Sequence, residues 1–363
     1  MSEFKININL TKNSNINSVD FENIKFGRVN TDHMFICHFK DGKWQDGEIK
    51  PFQNISLSPA TSALHYGQSI FEGMRCQKST DGEDILLFRP EENFKRLNLS
   101  AKRMCMPEIP EQVFNRGLET LIAIDHEWIP TTQGSGLYIR PFYFASDNFL
   151  GVKESEDYIF IIYCCPVNAY YSNPLSVWVE QRYSRATKQG GVGYAKCAGN
   201  YAASMYPAKL AKEKGYDQVM WTDSEKHELI EETGTTNIFA QIGGIIVTPS
   251  LSDSILPGIT RESIITFLKS KNYVVEEREL DIHELVEASI NGMLKEMWVS
   301  GTAATVVNIK RFHFNDKDYE VPMPENGLKD EILQALVGIK RGEIEDSFGW
   351  MKKVKPKTSA NLA

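Results

Sequence analysis

The chain carries two long β-rich runs, Leu137 to Ala145 and Tyr158 to Cys165, with helical spacing on their N-terminal side. Strand-forming runs of this length need hydrogen-bonding neighbours and a covering layer. After Pro90, Phe94, Leu97, Ala101 and Met104 recur at helical spacing, and a second helix is predicted from Pro110 to Ile124. Upstream, His33 to Phe39 reads as a strand, with Asp41-Gly42 as the turn toward Trp44. The first half therefore predicts an α/β domain with long strands.

The stretch from Pro166 to Pro174 is rich in Pro, Asn and Tyr and lacks periodicity, which marks it as the candidate linker. Beyond it, Ser176 to Tyr183 reads as a strand and Ala202 to Lys214 as a helix stopped by Gly215. Strands are predicted at Gln218 to Thr222, Thr236 to Gln241 and Ile245 to Thr248, the last two joined at Gly243-Gly244. A helix from about Arg261 to Lys271, strands at Val274 to Leu280 and Met297 to Ser300, and a charged surface helix from Leu328 to Ile344 follow. The expected organisation is a domain over 1–165 with a polar tail at 1–25, a linker at 166–175, and a second domain over 176–363.

With 42% apolar and 24% charged residues, the 363-residue chain can bury an ordinary globular core. A formal charge of −8 argues against nucleic acid as a partner, because phosphate contacts need a concentrated positive surface. No stretch approaches the ~20 apolar residues of a membrane span. The Asn-rich start lacks a basic-then-apolar signal layout, so a cytoplasmic location is expected. The six cysteines form no CxxC pair, and Cys164-Cys165 sits in an apolar run; buried free thiols are expected, with no metal site.

The feature that carries chemistry is a single lysine in Gly190-Gly191-Val192-Gly193-Tyr194-Ala195-Lys196-Cys197-Ala198-Gly199-Asn200-Tyr201. Small neighbours let a flat ligand approach the backbone, and partial desolvation makes an amine more nucleophilic. Taken alone, the segment also admits a glycine-rich loop with an incidental lysine. It has neither GxGxxG nor Walker-type spacing.

This segment resembles the lysine motif of fold-type IV aminotransferases, in particular the branched-chain amino acid aminotransferases. Further segments match that family in order: Leu64-His65-Tyr66 with Phe71-Glu72-Gly73, Phe88-Arg89-Pro90 with Arg96-Leu97, and Tyr138-Ile139-Arg140-Pro141. Leu229-Ile230-Glu231-Glu232-Thr233-Gly234-Thr235-Thr236-Asn237, Leu256-Pro257-Gly258-Ile259-Thr260-Arg261 and Ser300-Gly301-Thr302-Ala303 complete the set, which spans nearly the whole chain. The resemblance implies a two-domain α/β (α+β) enzyme with a smaller N-terminal α/β domain and a larger, β-barrel-like C-terminal domain with helices. It also implies pyridoxal 5′-phosphate as cofactor. The implied reaction is reversible amino transfer from L-leucine, L-isoleucine or L-valine to 2-oxoglutarate.

By the same resemblance, Lys196 is expected to hold the cofactor covalently and to shuttle the substrate proton. Glu232 is expected to partner the pyridine nitrogen; by spacing alone, Glu231-Glu232 reads only as an exposed acidic pair. Tyr201 is expected at the ring's phenolic oxygen and Arg96 at the phosphate, with Arg89 structural. Ile259 and Thr260 open a predicted helix whose N–H groups suit an anion, although a plain Pro-Gly turn and cap fits the same spacing. Thr302, Thr235, Thr236 and Asn237 are further expected cofactor contacts.

The implied substrate pocket comprises Phe71, Tyr138, Arg140, Tyr170, Tyr201, Thr235, Thr302 and Ala303. Arg140, with Tyr138, is the candidate for glutamate's distal carboxylate; an arginine in a structural ion pair is the alternative. Tyr66, Leu150 and Val152 are expected to reach in from the second subunit of a homodimer. Animal relatives carry a redox-active CxxC after the Ser-Gly-Thr-Ala turn, where this chain has Ala304 and Val307, so thiol switching is not expected. D-amino acid aminotransferase, aminodeoxychorismate lyase and a non-catalytic cofactor-binding protein are the competing readings. The HY…FEG and YIRP segments favour the branched-chain branch over the first two. Retention of Lys196, Glu232, Tyr201 and Arg96 together disfavours the third.

Overall fold

A computed structural model describes residues 4–132, 134–168, 173–302 and 305–357. The chain divides by its contacts into two units: Met1–Tyr170 with Lys196–Ala198 and Val337–Ala363, and Tyr171–Ala195 with Gly199–Leu336. The sequence placed everything after the linker in one domain. The contacts instead assign the lysine segment and the C-terminal stretch to the first unit.

The first unit is built on a mixed sheet. Its strands run Ile6–Ile8, Gly47–Pro51, His33–Lys40, Tyr158–Val167, Gly136–Ala145, Met74–Lys78, Ile85–Phe88 and Met351–Val354, with Lys43–Trp44 and Ser69–Phe71 paired to its side. The two central strands pair antiparallel over ten positions, Gly136 opposite Val167 through Ala145 opposite Tyr158. Both are buried along almost their whole length, which is why they read as continuous apolar runs rather than alternating ones. The helices of this part are α1 (Ser62–Tyr66), α2 (Pro90–Arg103) and α3 (Glu111–Ile124). α2 starts where Pro90 presets the helical φ, and α3 buries Val113, Phe114, Leu118 and Leu121 on one face. Asp41 and Gly42 both take positive φ, 52° and 72°, as a two-residue hairpin turn requires.

The second unit has a nine-stranded sheet in the order Ile230–Thr233, Gln218–Thr222, Leu175–Val179, Thr305–Phe314, Leu294–Gly301, Asn237–Ile242, Ile245–Thr248 and Val274–Glu277, with Lys317–Glu320 at its side. Its core gathers Val177, Met220, Ile238, Val247, Leu285, Met297, Val299 and Phe312. The helices are α4 (Ala198–Glu213), α5 (Ile259–Ser270) and α6 (Ile282–Ile290); α7 (Leu328–Arg341) has residues in both units. α4 begins four residues earlier than its apolar spacing suggested, so the Gly199-Asn200-Tyr201 stretch is helical. The strand predicted to Tyr183 ends at Val179, and the ten-residue strand Thr305–Phe314 was not anticipated. No helix among the described residues is long and apolar enough to cross a membrane.

Candidate active site

In the first unit, the backbone fixes Lys196 from both sides. Its N–H donates to Ser100 Oγ at 2.9 Å, and its carbonyl accepts the Phe71 N–H at 3.1 Å. An isolated bridge pairs Ile70 with Cys197, so the lysine segment runs as an edge partner to Ser69–Phe71. The half-buried side chain then carries Nζ to 5.2 Å from the centroid of the Phe71 ring, within cation–π range.

One turn of α2 before Ser100 lies Arg96, and the Ser100 hydroxyl donates to the Arg96 carbonyl at 2.9 Å. The Arg96 guanidinium makes a two-point pair with Glu72, Nε to Oε1 at 2.7 Å and Nη2 to Oε2 at 2.8 Å, with both residues buried. Burial opposes a charge on Glu72, but Arg96, the Lys196 charge and the Asn93 amide outweigh it and hold the carboxyl below its ordinary range. Glu72 thus holds the Arg96 guanidinium in one orientation.

Phe71 also lies under a second cation. Arg140 Cζ sits 4.6 Å from its ring, and Arg140 Nη2 donates to the Tyr138 hydroxyl at 2.9 Å. Tyr138 and Arg140 stand two positions apart on one strand and so share a sheet face. They open onto a cavity of about 670 Å³ whose walls include Phe26, Met34, Phe52, Phe142 and Tyr163. Phe26 meets Tyr138 edge-on at 5.0 Å between centroids. The cavity is mostly apolar with one guanidinium in its wall, a layout for a ligand with a hydrocarbon body and a carboxylate.

In the second unit, Asn237 is the junction. Its Nδ2 donates to the Leu256 carbonyl at 3.0 Å and reaches Glu232 Oε1 at 3.4 Å, while Asn237 itself pairs in register with Ser300. Glu232 Oε1 accepts the Leu256 N–H at 2.5 Å, and Oε2 pairs with Arg185 Nε at 3.1 Å. Arg185 donates Nη1 to the carbonyls of Ser254 (2.8 Å) and Gly193 (3.2 Å). The buried Glu232 carboxylate is therefore oriented from three directions and its charge is opposed at short range.

Two residues after Leu256, Gly258 caps α5 and offers no side-chain acceptor, so the first N–H groups of α5, at Ile259 and Thr260, point out of an uncapped helix start. A Cβ on Gly258 would overlap Asn237 Oδ1, so the helix start is pressed against the junction residue. Thr233 and Thr236 exchange backbone hydrogen bonds at 2.9 Å around Gly234-Thr235, and the Thr236 methyl group packs on Gly301. The Thr235–Asn237 turn and the turn carrying Thr302 are thereby brought together with Glu232 and the α5 start. Tyr201 is half-buried in the first turn of α4, and Asn200 beside it donates to the carbonyls of Val192 (2.8 Å) and Ala195 (2.9 Å).

Tyr66, Leu150 and Val152 are exposed in the single chain, Val152 to 89%. Tyr170 and Ala303 lie outside the described residues. The sequence did not single out Arg185, Ser100, Asn93 or Asn200. Ser100 sits four residues beyond Arg96, a same-face spacing that could have drawn notice; nothing local distinguishes Arg185.

Residues 69–312 match the family described as amino-transferase class IV. The chain is 42% identical over 346 residues to branched-chain-amino-acid aminotransferase 2 of Bacillus subtilis (strain 168), covering 94% of this chain and 95% of that protein. Among solved structures, the branched-chain amino acid aminotransferase of Escherichia coli superposes with a TM-score of 0.71 at 27% identity, covering 88% of this chain and 98% of the other. The T.th. branched-chain amino acid aminotransferase, complexed with N-(5′-phosphopyridoxyl)-L-glutamate, shares the fold, with a TM-score of 0.70 at 22% identity, covering 87% of this chain and 97% of the other.

Proposed function

This chain belongs to the class IV aminotransferases, in their branched-chain-amino-acid group, and from that premise we propose how its own residues carry the reaction. The enzyme moves the amino group of L-leucine, L-isoleucine or L-valine reversibly to 2-oxoglutarate, giving the branched 2-oxo acid and L-glutamate. Pyridoxal phosphate is the family's cofactor; when bound, it supplies an electron sink for the charge left at the substrate Cα and carries the amino group between the half-reactions.

The donor set fits that group. It contains a primary amine fixed through its own backbone, a buried carboxylate opposed by a guanidinium, and an uncapped helix start suited to a phosphate. Lys196 would hold the cofactor through Nζ and, once released, would carry the proton from the substrate Cα to C4′ of the cofactor, and back in the reverse half-reaction. Glu232 keeps a proton on the ring nitrogen, and Arg185 with the Leu256 amide holds its carboxylate to one orientation. Arg96, oriented by Glu72, and the N–H groups of Ile259 and Thr260 meet the phosphate, with Thr302 and the Thr235–Asn237 turn as further contacts. Tyr201 donates to the ring's phenolic oxygen.

For the substrate, Phe71, Tyr170 and Tyr201 are the residues assigned to the apolar pocket, and burying a branched side chain is worth ~1.5–3 kcal/mol. The groups around Thr302 and Ala303 meet the α-carboxylate, and Arg140 with Tyr138 meets the second carboxylate of glutamate. A homodimer would cover a compact apolar knot that one chain leaves exposed. There the Phe149 N–H bonds to the Ala60 carbonyl and the Ser62 N–H to Asp147, holding Leu64, Tyr66, Phe149, Leu150 and Val152 at the surface. Six free cysteines, five of them buried, suit a reducing cytoplasm.

The observation that carries the assignment is the two-sided backbone hold on Lys196. Purified enzyme should show the visible absorbance of lysine-bound cofactor, lose it on adding L-leucine and regain it with 2-oxoglutarate. Lys196→Ala should abolish both the bound band and turnover. A yellow, active alanine variant, or turnover of D-alanine but not L-leucine, would refute the assignment.

A further inference from the structure

Ile230–Thr233 pairs with Gln218–Thr222 through a bulge, Glu232 opposite Trp221 and Ile230 opposite Thr222, so Glu231 is the extra residue and the simple alternation of a strand breaks there. Glu231 is 5% exposed. Its Oε1 accepts a very short hydrogen bond from Ser254 Oγ, and its Oε2 is buried with no hydrogen-bond partner among the described residues. Ser254 belongs to the turn that holds Glu232: its carbonyl accepts Arg185 Nη1 at 2.8 Å, and the Leu256 amide two residues on donates to Glu232 Oε1. The Ser252 hydroxyl braces the same turn, 2.8 Å from Ser254 Oγ. A continuous path, Glu231 to Ser254 to Arg185 to Glu232, thus joins the two carboxyl groups.

We propose that Glu231 is a positioning residue for Glu232, fixing through Ser254 the turn and the guanidinium that orient the Glu232 carboxylate and setting, by its own charge state, where the proton between Glu232 and the cofactor's ring nitrogen rests. This rests on the assignment of Glu232 to the ring nitrogen. Burial, opposed by the Ser254 hydroxyl, pushes the Glu231 carboxyl up to about 7; Glu232 and Asp223 add to the rise, and Arg185 works against it. Neutral Glu231 leaves Arg185 to balance Glu232 alone. Ionised Glu231 adds a second negative charge on the Glu232 side, which raises the proton affinity of the carboxylate more than that of the ring. Above neutral pH the proton is therefore drawn toward Glu232.

The test is the ¹⁵N NMR signal of ring-labelled pyridoxal phosphate bound to the enzyme, followed across pH in wild type, Glu231→Gln, Ser254→Ala and Glu232→Gln. In wild type the signal should move toward the unprotonated position in a transition near neutrality. Glu231→Gln, held neutral, should lose that transition while keeping a protonated ring. Ser254→Ala removes the hydrogen bond that favours the Glu231 anion, so its transition should move to higher pH; this arm decides the matter if Glu231→Gln does not fold. An unmoved wild-type transition in either variant overturns the role of Glu231. If Glu232→Gln leaves the ring nitrogen as protonated as wild type, the assignment of Glu232 fails instead, and the two failures are distinguishable.

Discussion

The amide of Lys196 donates to the Ser100 hydroxyl, and that hydroxyl donates in turn to the Arg96 carbonyl, so one side chain on α2 ties the lysine assigned to the cofactor to the arginine assigned to the phosphate. Removing the hydroxyl leaves the Lys196 N–H without its acceptor in a part-buried place. Ser100→Ala should cost about 1–3 kcal/mol of stability. The same substitution should lower cofactor retention more than Ser100→Thr, which keeps the hydroxyl. Urea denaturation and cofactor content after gel filtration measure the two effects; equal retention in both variants would remove Ser100 from the support of the lysine.

Arg140 lies over Phe71 and is held by the Tyr138 hydroxyl. Arg140→Ala should reduce kcat/KM for glutamate at least tenfold more than for leucine, because a lost charge-assisted hydrogen bond is worth about 1.5–3 kcal/mol and only glutamate has the second carboxylate. Equal losses with both substrates would assign Arg140 a packing role only.

Gly73 offers a milder perturbation of the same pair. A Cβ at this position would overlap the Tyr138 hydroxyl. Gly73→Ala should push Tyr138 away from Arg140 and weaken glutamate in the same direction as Arg140→Ala, by a smaller factor. Steady-state kinetics with leucine and glutamate check this; a leucine-selective loss would contradict it.

Lys340, on α7, lies 4.5 Å over the Phe88 ring, and burial together with the Arg75 charge pushes its amine down to about 7. An unfolded lysine titrates near ~10.4, so between these values the native state holds fewer protons than the unfolded one. Stability should therefore rise with pH across that window and gain nothing further above it. Lys340→Met should flatten the rise and raise Tm most at about pH 6, where the wild-type ammonium is fully charged. An unchanged pH slope in a thermal melt would show that Lys340 is solvated.

The sequence exposed the elements whose signal is local. Gln218–Thr222 and Ile245–Thr248 appear as read, and the α3 start after Pro110 and the Asp41-Gly42 turn follow from residues that stand beside them. It missed what depends on distant partners. Thr305–Phe314 mixes polar and apolar residues, and its place in the sheet comes from Leu294–Gly301 on one side and Leu175–Val179 on the other. The site divides in the same way. Lys196, Glu232 and the Pro257-Gly258 helix start are singled out by the motifs that carry the family resemblance, since each alone admits a bland reading. Arg185 is separated from Glu232 by 47 positions (232 − 185), and nothing around it signals the ion pair. Glu231 was legible as an acid but not as a buried one, because its burial is supplied by the turn at Ser254.

Met351–Val354 pairs antiparallel with Ile85–Phe88, Met351 opposite Phe88. On a ribosome, Ile85–Phe88 emerges long before its outer neighbour exists, and the lysine segment that joins Ser69–Phe71 emerges in between. The first unit is therefore assembled in three instalments, and it waits with one sheet edge open until Met351–Val354 has been made. A fragment stopped at residue 170 would lack both Lys196 and the closing strand. Premature termination should accordingly yield a sticky, inert product, and a chaperone that shields the Ile85–Phe88 edge would protect the unfinished chain.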